Sequence, residues 1–304
     1  MMNFLYFAGG LGFFLFGMSV MESGLKGLGK GRVIPCKAYS GTLRGILFGC
    51  ILTAITQSSS SVTVTLISLV ETGAVRLSDT IGIIIGANIG TSSTAWIISL
   101  CGGNLSIAVL YPAFILAGSL IIVLLKKDKL GYILSGFALI LAGMEDMSTA
   151  VTPLFSQNGF ENFTSPNSAF LGGLLITAVI QSSSASVGIL QALSVSGGIT
   201  LGLAAPIIIG QNIGTCVTAL LACLTKSRRA RGVFLIHLLF NIWGAVICGG
   251  LLFLFGNIIP LDKPASPIDI ALFHTAFNTI SFLTAVIPIS LCKSHKVSAQ
   301  KLGY

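Results

Sequence analysis

Charged side chains are scarce in this sequence. Seventeen Lys and Arg plus nine Asp and Glu make up 9% of its 304 residues, whereas a soluble domain carries about 25%. The apolar fraction is 54% and the mean hydropathy is +0.95, so the chain cannot bury its apolar side chains by folding on itself in water. These values exclude a cytosolic enzyme and a nucleic-acid binder, and they predict an integral membrane protein.

Cysteine patterns typical of a disulfide scaffold or a zinc site are also missing. The seven cysteines are an odd number, lie mostly in apolar runs and form no C-x-x-C pair. A removable signal peptide is not expected either, because Met1-Met2-Asn3 leads straight into an apolar stretch without a basic segment or cleavage site. The first helix is therefore predicted to remain in the protein.

Apolar runs long enough to cross about 30 Å of hydrocarbon are what the sequence does contain. Two other regions, 41–100 and 169–225, are apolar overall but are interrupted by hydroxyl and amide residues. The uninterrupted runs are predicted to be ordinary membrane-spanning helices, at 4–21, 105–125, 130–147, 233–255 and 270–291.

An internal repeat links the two interrupted regions. The run Gln57-Ser58-Ser59-Ser60 recurs 124 residues later as Gln181-Ser182-Ser183-Ser184, and Asn88-Ile89-Gly90-Thr91 recurs as Asn212-Ile213-Gly214-Thr215. Without a gap, 57–97 and 181–221 are identical at 18 of 41 positions. The sequence therefore predicts two repeat units, 1–125 and 130–255, followed by a final helix and tail at 256–304.

Basic residues suggest that the repeats have opposite orientations, because Lys and Arg mark the cytoplasmic side of short loops. The segment before the first polar run is basic and its counterpart, 145–168, has no Lys or Arg. After the polar motifs the bias reverses: 101–106 is uncharged, whereas 226–231 is basic. We therefore predict inverted repeats in the cell membrane, with the N-terminus outside and the C-terminus in the cytoplasm. The basic side chains on the cytoplasmic side are Lys26, Lys30, Arg32, Lys37, Arg44, Lys126, Lys127, Lys129, Lys226, Arg228, Arg229, Arg231, Lys293, Lys296 and Lys301.

Each interrupted region must cross the membrane an odd number of times. A re-entrant helical hairpin with the Gln-Ser run at its tip, followed by a broken helix across 80–100 or 204–224, meets this requirement. The expected kinks lie at 88–90 and 212–214. The predicted fold class is an all-α integral membrane protein with two inverted-topology repeats, an arrangement that places a transport site near the midplane.

The motifs supply hydroxyl, amide and carbonyl oxygens, but neither core contains a Lys, Arg, His or carboxylate. Such oxygens suit Na⁺, while free N–H groups at helix starts suit an oxyanion. Without a fixed basic residue, a divalent anion needs co-bound cations, which predicts coupled binding. His237 and Asn241 recur as His274 and Asn278; a functional site and a helix–helix hydrogen bond explain them equally well.

The paired Gln-Ser-Ser-Ser runs, each followed by Gly-x-Asn-Ile-Gly-Thr, resemble the type II sodium–phosphate cotransporters over nearly the whole chain. The resemblance implies Na⁺-driven uptake of inorganic phosphate by alternating access, with no enzymatic activity and no cofactor beyond Na⁺ as the coupling ion. Many bacterial members carry a PhoU-like domain after the last span, and none is expected here. The implied phosphate site is Gln57, Ser58, Ser59, Ser60, Gln181, Ser182, Ser183 and Ser184. The implied sodium sites are Ser59, Ser60, Asn88, Thr91, Ser183, Ser184, Asn212 and Thr215.

Alternatives remain open from the sequence. Transport of another oxyanion, such as sulfate, fits the same architecture, and so does a passive channel. From a different class, an intramembrane serine hydrolase would pair a motif Ser with His237 or His274. The copies differ after the motif Thr, where Ser92 stands against Cys216, so the two ion sites need not be equal. Phosphate, Na⁺ and lipid are the expected partners; a homodimer, the stoichiometry and the charge state of phosphate stay undetermined.

Overall fold

The computed structural model describes residues 2–29, 41–102, 107–158 and 165–301. In these ranges the regular secondary structure is α-helical. The helices are α1 (Met2–Gly29), α2 (Thr42–Thr56), α3 (Ser59–Glu71), α4 (Leu77–Gly102), α5 (Ile107–Val123), α6 (Asp128–Asn158), α7 (Pro166–Ile180), α8 (Ser183–Val195), α9 (Leu201–Gly214), α10 (Cys216–Cys223), α11 (Arg228–Phe255) and α12 (Pro267–Lys301).

Six of these helices are long and apolar enough to cross a membrane: Asn3–Leu25, Leu77–Leu100, Asp128–Ala150, Leu201–Cys223, Arg228–Phe255 and Pro267–Ala285. A multi-pass membrane protein is thereby confirmed. The further span expected at 105–125 corresponds to α5, whose start adjoins residues outside the described ranges. Three of the basic residues used for the orientation, Lys30, Arg32 and Lys37, also lie outside them.

The helix boundaries repeat with the same spacing as the sequence. Helices α2 and α3 begin and end 124 residues before α7 and α8, respectively. Serine fixes the start of the second helix in each pair, because Ser58 Oγ accepts from Ser61 N and Ser182 Oγ accepts from Ala185 N. Equal sequence therefore produces equal local structure in both halves.

Helices α2 and α4 run parallel and very close together along a seam of glycines. A Cβ added at Gly49 would meet the backbone of Ile83 and Ala87, and one at Gly90 would meet Cys50 and Thr53. Helix α3 connects α2 to α4 along the chain. Because α2 and α4 point in the same direction, α3 must run in the opposite direction. Helices α2 and α3 therefore form a helical hairpin whose arms are about 20 Å long, with Gln57 at the tip. Glycines at 173, 210 and 214 make the matching seam between α7 and α9.

Helices α1 and α6 pack antiparallel through two pairs of glycines. Gly10 lies against Gly143, and Gly17 lies against Gly136. The sequence Gly-Met-Ser-Val-Met at 17–21 in α1 is similar to Gly-Met-Glu-Asp-Met at 143–147 in α6, an offset of 126 residues, and with this offset each glycine pair maps onto the other. The interface is therefore internally two-fold, and it includes a buried cluster with Phe14, Met21, Ile140, Leu141 and Met144.

The predicted break in α4 is wrong. Helix α4 continues through Asn88 and Gly90 to Gly102. Asn88 Nδ2 donates to Ile84 O at 2.9 Å and Thr91 Oγ1 donates to Ala87 O at 3.0 Å. These side chains are bonded within the helix and do not interrupt it. In the second repeat only Thr215 separates α9 from α10, and its backbone keeps right-handed helical dihedrals (φ −62°, ψ −23°), so the two helices form one span, Leu201–Cys223, without the break predicted at 212–214.

Candidate functional site

Two sharp chain reversals carry the Gln-Ser runs. Gln57 and Gln181 end α2 and α7 with φ of 52° and 58°, a left-handed conformation that is uncommon for a residue other than glycine. The next residues, Ser58 and Ser182, cap α3 and α8 with their hydroxyls. The matched backbone strain at both positions is typical of functional sites.

The tips of the two hairpins meet. Ser59 Oγ lies 3.4 Å from Ser183 Oγ, its own counterpart in the other repeat. Ser60 Oγ donates to Gln181 O at 3.4 Å, and Ser184 Oγ donates to Gln57 O at 3.4 Å. Ser60 and Ser184 are also equivalent residues, so these contacts have two-fold symmetry. The N-termini of α3 and α8 therefore lie side by side.

Helix α4 adds a hydroxyl that the sequence-based prediction missed. Thr94 Oγ1 donates to Gln57 Oε1 and lies 3.1 Å from Ser184 Oγ, while Gln57 Nε2 lies 3.4 Å from Ser93 Oγ. In the second repeat Thr218 Oγ1 donates to Gln181 O at 3.5 Å. A signal was present, because Thr94 and Thr218 are identical residues at equivalent positions of the repeat.

The predicted sodium ligands outside the Gln-Ser runs lie in buried helix interiors. Asn212 Nδ2 donates to Ile208 O at 2.8 Å and Thr215 Oγ1 donates to Asn212 O at 2.6 Å, as Asn88 and Thr91 do in α4. The described hydrogen bonds join these four residues to their own helices rather than to the Gln-Ser groups. The structure thus brings the Gln-Ser runs into direct contact, with Thr94 bridging Gln57 and Ser184 while Thr218 bonds Gln181 of its own repeat.

The two glutamines differ in exposure. Gln57 is 5% exposed, with its amide bonded to Ala54 O and Thr94, whereas Gln181 is exposed. The site is therefore asymmetric, because the Gln57 side chain is buried and the Gln181 side chain is exposed although the two Gln-Ser runs have nearly the same sequence.

The repeated His and Asn pairs occupy matching places behind the motifs. Asn241 Nδ2 lies 3.5 Å from Cys216 Sγ, and Asn278 Nδ2 lies 3.4 Å from Ser92 Oγ. All four His and Asn side chains are at most 1% exposed. Helix α12 thus meets the first repeat as α11 meets the second, and the Asn of each pair contacts the residue that follows the motif Thr.

The chemistry of the site is that of neutral oxygens and helix starts. Within the described residues, no group of three or more His, Cys, Asp or Glu could hold a metal ion. Serine hydroxyls, the Gln57 amide and the carbonyls of Gln57 and Gln181 supply hard ligands of the kind Na⁺ takes. The unpaired N–H groups in the first turns of α3 and α8 carry partial positive charge that favours an anion.

Comparison with known proteins gives consistent relatives. The sequence model of a family described as Na⁺/Pi-cotransporter matches residues 13–149 and 156–259. An uncharacterised protein of Bacillus subtilis, YqeW, is 29% identical over 89% of this chain and 90% of its own length. A Salmonella typhimurium protein named as a putative inorganic phosphate export protein, YjbB, is 27% identical over 95% of this chain. The chain covers 54% of that relative's length.

An animal relative matches a shorter stretch. The rat sodium-dependent phosphate transport protein 2A is 41% identical over 61 residues, which are 20% of this chain and 10% of that protein. No solved structure matches the chain.

Proposed function

The chain belongs to the Na⁺/Pi-cotransporter family, and from this premise we propose that it couples Na⁺ movement to the transport of inorganic phosphate by alternating access. The observation that carries the proposal is the meeting of the hairpin tips at Ser59 and Ser183. Phosphate would lie between the first turns of α3 and α8, bound by Gln57, Ser58, Ser59, Ser60, Gln181, Ser182, Ser183 and Ser184 with Thr94 and Thr218. Na⁺ would take oxygens from the same runs and from Asn88, Thr91, Asn212 and Thr215.

Neutrality of the site argues for coupled binding. With no basic side chain in either motif, HPO₄²⁻ in a desolvated site would be poorly compensated by helix starts alone, which are worth about 1 kcal/mol each. Bound Na⁺ supplies the missing charge, so the ions stabilise each other's binding. Two Na⁺ per HPO₄²⁻ would make the cycle electroneutral.

Inverted repeats with re-entrant hairpins are part of the proposal. The antiparallel, two-fold pairing of α1 with α6 and the contact between equivalent residues Ser59 and Ser183 support inversion. Arms of 15 and 13 residues in α2 and α3 are shorter than the ~20 residues of a full span, which supports a re-entrant hairpin. The N-terminus would lie outside and the C-terminus in the cytoplasm.

Uptake is the direction that we propose, and export is a second candidate. Relatives that are 27% identical over most of this chain are named as putative phosphate export proteins. A coupled carrier is reversible, so the gradients decide the direction of net flux. Transport of sulfate is a further alternative, while a serine hydrolase is disfavoured because both ring nitrogens of His237 and Nδ1 of His274 lack a hydrogen-bond partner in the described structure.

The proposal is tested with purified protein in proteoliposomes, by following radiolabelled phosphate under an inward Na⁺ gradient and an equal K⁺ gradient. For two Na⁺ per HPO₄²⁻, a tenfold Na⁺ gradient supplies about 2.7 kcal/mol, or up to ~100-fold accumulation. We expect transient accumulation above equilibrium with Na⁺ only. Equal uptake with both cations would refute Na⁺ coupling, and downhill flux alone would indicate a channel.

Direction and anion choice need two further arms. Excess unlabelled sulfate at a half-saturating phosphate concentration should leave uptake nearly unchanged, and strong inhibition would favour the sulfate alternative. In membrane vesicles of known orientation, Na⁺ on the extracellular face should drive phosphate inward. Phosphate extrusion under the physiological Na⁺ gradient would establish export instead.

A further inference from the structure

The exposed face of α3 is made of hydroxyl groups. Its exposed side chains are Ser61, Thr65, Ser68 and the terminal Glu71, and Thr72 directly follows the helix on the same line. Residues 61, 65, 68 and 72 follow the spacing of one helix face. Thr65, Ser68 and Thr72 each donate to the carbonyl four residues earlier, which leaves their oxygen lone pairs open to water. We refer to Ser61, Thr65, Ser68 and Thr72 as the hydroxyl face.

Neighbouring helices expose side chains of the opposite kind. The exposed face of α2 is apolar, with Leu43, Leu47, Ile51 and Ile55 exposed by 39–67%. The exposed large residues of α7 are Leu171, Leu175, Ile176 and Val179. These faces suit lipid. A single back-bonded Ser or Thr faces lipid at little cost, but four hydroxyl residues in line indicate water, because the helices beside them expose apolar side chains beyond their first turns.

Both ends of the hydroxyl face are polar. At its upper end Ser61 adjoins Ser60, which donates to the backbone of the exposed Gln181. At its lower end Glu71 Oε2 accepts from Ser227 N at 3.0 Å, and hydrogen bonds from the Ser227 side chain and then from its backbone N–H lower the pKa of the Glu71 carboxyl. The exposed Arg228, Arg229 and Arg231 begin α11 beside it. The face therefore runs from the candidate site to a basic rim.

The equivalent face of α8 is covered. Residues 61, 65 and 68 correspond to Ala185, Ile189 and Ala192, which are 0%, 7% and 0% exposed. They pack into the cluster formed by α1 and α6, and Phe14 of α1 lies against Gly188. Helix α3 instead packs its opposite, apolar side on α4, α10 and α11, so its hydroxyl face stays uncovered.

We propose that the hydroxyl face of α3 lines a water-filled passage for the transported anion and its Na⁺, connecting the Gln57–Gln181 site with the basic, cytoplasmic rim at 226–231. The passage is open in this conformation, and the corresponding route along α8 is sealed by α1 and α6. This assignment rests on the proposed function for what travels through the passage, but the passage itself is a matter of water access alone.

The test is cysteine accessibility in inside-out membrane vesicles. Single variants Thr65→Cys and Ser68→Cys probe the hydroxyl face. Leu47→Cys and Ile51→Cys probe the lipid-facing side of α2, and Ile189→Cys and Ala192→Cys probe the covered face of α8. Each is treated with a membrane-impermeant sulfonated methanethiosulfonate, and peptide mass spectrometry separates the new thiol from the seven native cysteines.

Only water-exposed thiols form the reactive thiolate, and burial in lipid that raises a thiol pKa by one unit lowers its rate about tenfold. We expect modification at 65 and 68 to be at least ~10-fold faster than at 47, 51, 189 and 192. Modification after denaturation confirms that each thiol is present, and size-exclusion elution as wild type confirms folding.

Equal rates on α2 and α3 would overturn the passage, as would no modification at both 65 and 68 in folded protein. Labelling requires neither phosphate nor Na⁺. Accessible α3 positions without Na⁺-driven phosphate uptake would therefore support the passage and refute the proposed function. Na⁺-driven uptake with inaccessible α3 positions would support the proposed function and refute the passage.

Discussion

At the scale of single residues, the same glutamine serves as a helix terminus and as a candidate ligand. Gln57 and Gln181 both take left-handed backbone conformations at the hairpin tips. Glycine adopts this conformation freely, whereas other L-residues pay about 1 kcal/mol or more for it. Retaining glutamine twice in a strained position suggests that its amide is needed there, because glycine would make the same turn without strain.

Two substitutions at position 57 separate the turn from the amide. Gln57→Gly keeps the left-handed turn but removes the contacts with Thr94 and Ser93, so phosphate uptake should be lost with little change in thermal stability. Gln57→Ala should lose uptake and also be less stable than Gln57→Gly, by about 1 kcal/mol. Thermal unfolding in detergent and liposome uptake give the two readouts. Normal uptake by the Gly variant would remove the amide from the site.

At the scale of helices, glycine determines how the hairpins are held. The backbones of α2 and α4, and of α7 and α9, approach so closely that a Cβ at Gly86 or Gly210 would collide with carbonyl oxygens of Ile46 or Phe170. Small residues allow this approach between membrane helices, where packing and not the hydrophobic effect drives association. Both glycines of each Gly-x-Asn-Ile-Gly-Thr motif are therefore explained by packing, including Gly90 and Gly214, which lie within the predicted kinks at 88–90 and 212–214.

Gly86→Ala and Gly210→Ala should each destabilise the protein by about 1–3 kcal/mol, the usual cost of overpacking a tight interface. Gly250→Ala is the matched control, because a Cβ added there meets nothing within 4 Å. Thermal unfolding of the three variants in detergent should show lower midpoints for the first two and an unchanged or slightly higher midpoint for the control. A wild-type midpoint for Gly86→Ala would show that the seam is looser than described.

At the scale of the whole molecule, two equivalent hairpins with matching helix boundaries have different surroundings. Helix α8 is packed against α1 and α6, and α3 is not. If the repeats exchange conformations during transport, α8 must leave α1 and α6 while the hydroxyl face of α3 becomes covered. The reason is that the exchanged conformation would give α3 the kind of contacts that α8 has now, and would leave α8 as uncovered as α3 is now.

Holding α8 on α1 should therefore stop transport. Phe14 and Gly188 are in contact, so the double variant Phe14→Cys, Gly188→Cys should be joined by a short bifunctional methanethiosulfonate. We expect phosphate uptake to fall after cross-linking and to return after reduction with dithiothreitol, while Phe14→Cys alone keeps its uptake under the same treatment. Gly188→Cys alone is not a control, because its Cβ would collide with the Phe14 ring. Full uptake by the cross-linked protein would show that α1 and α8 move together.

Much of the architecture followed from the sequence, because its signals are local or periodic. Hydropathy identified a membrane protein, and the repeat offset of 124 correctly placed the Gln-Ser runs at two equivalent chain reversals. Motif composition pointed to neutral oxygen ligands. The predicted break failed at Asn88 and Thr91, whose side chains bond carbonyls of their own helix. A polar run in the sequence does not show whether its side chains bond their own helix or another group.

The sequence by itself determined that the chain resides in a membrane, that its halves are copies and which residue types surround the site, since these depend on composition and spacing. Only the tertiary structure decided that Thr94 reaches Gln57, that equivalent serines touch across the molecule, and that one hairpin is covered while its copy is open. The two copies share helix boundaries, but their outward residues differ, with Ser61, Thr65 and Ser68 in α3 against Ala185, Ile189 and Ala192 in α8. Hydroxyl side chains suit an exposed face and apolar ones suit a covered face, and the packing of α8 against α1 and α6 that covers it is a property of the assembled fold.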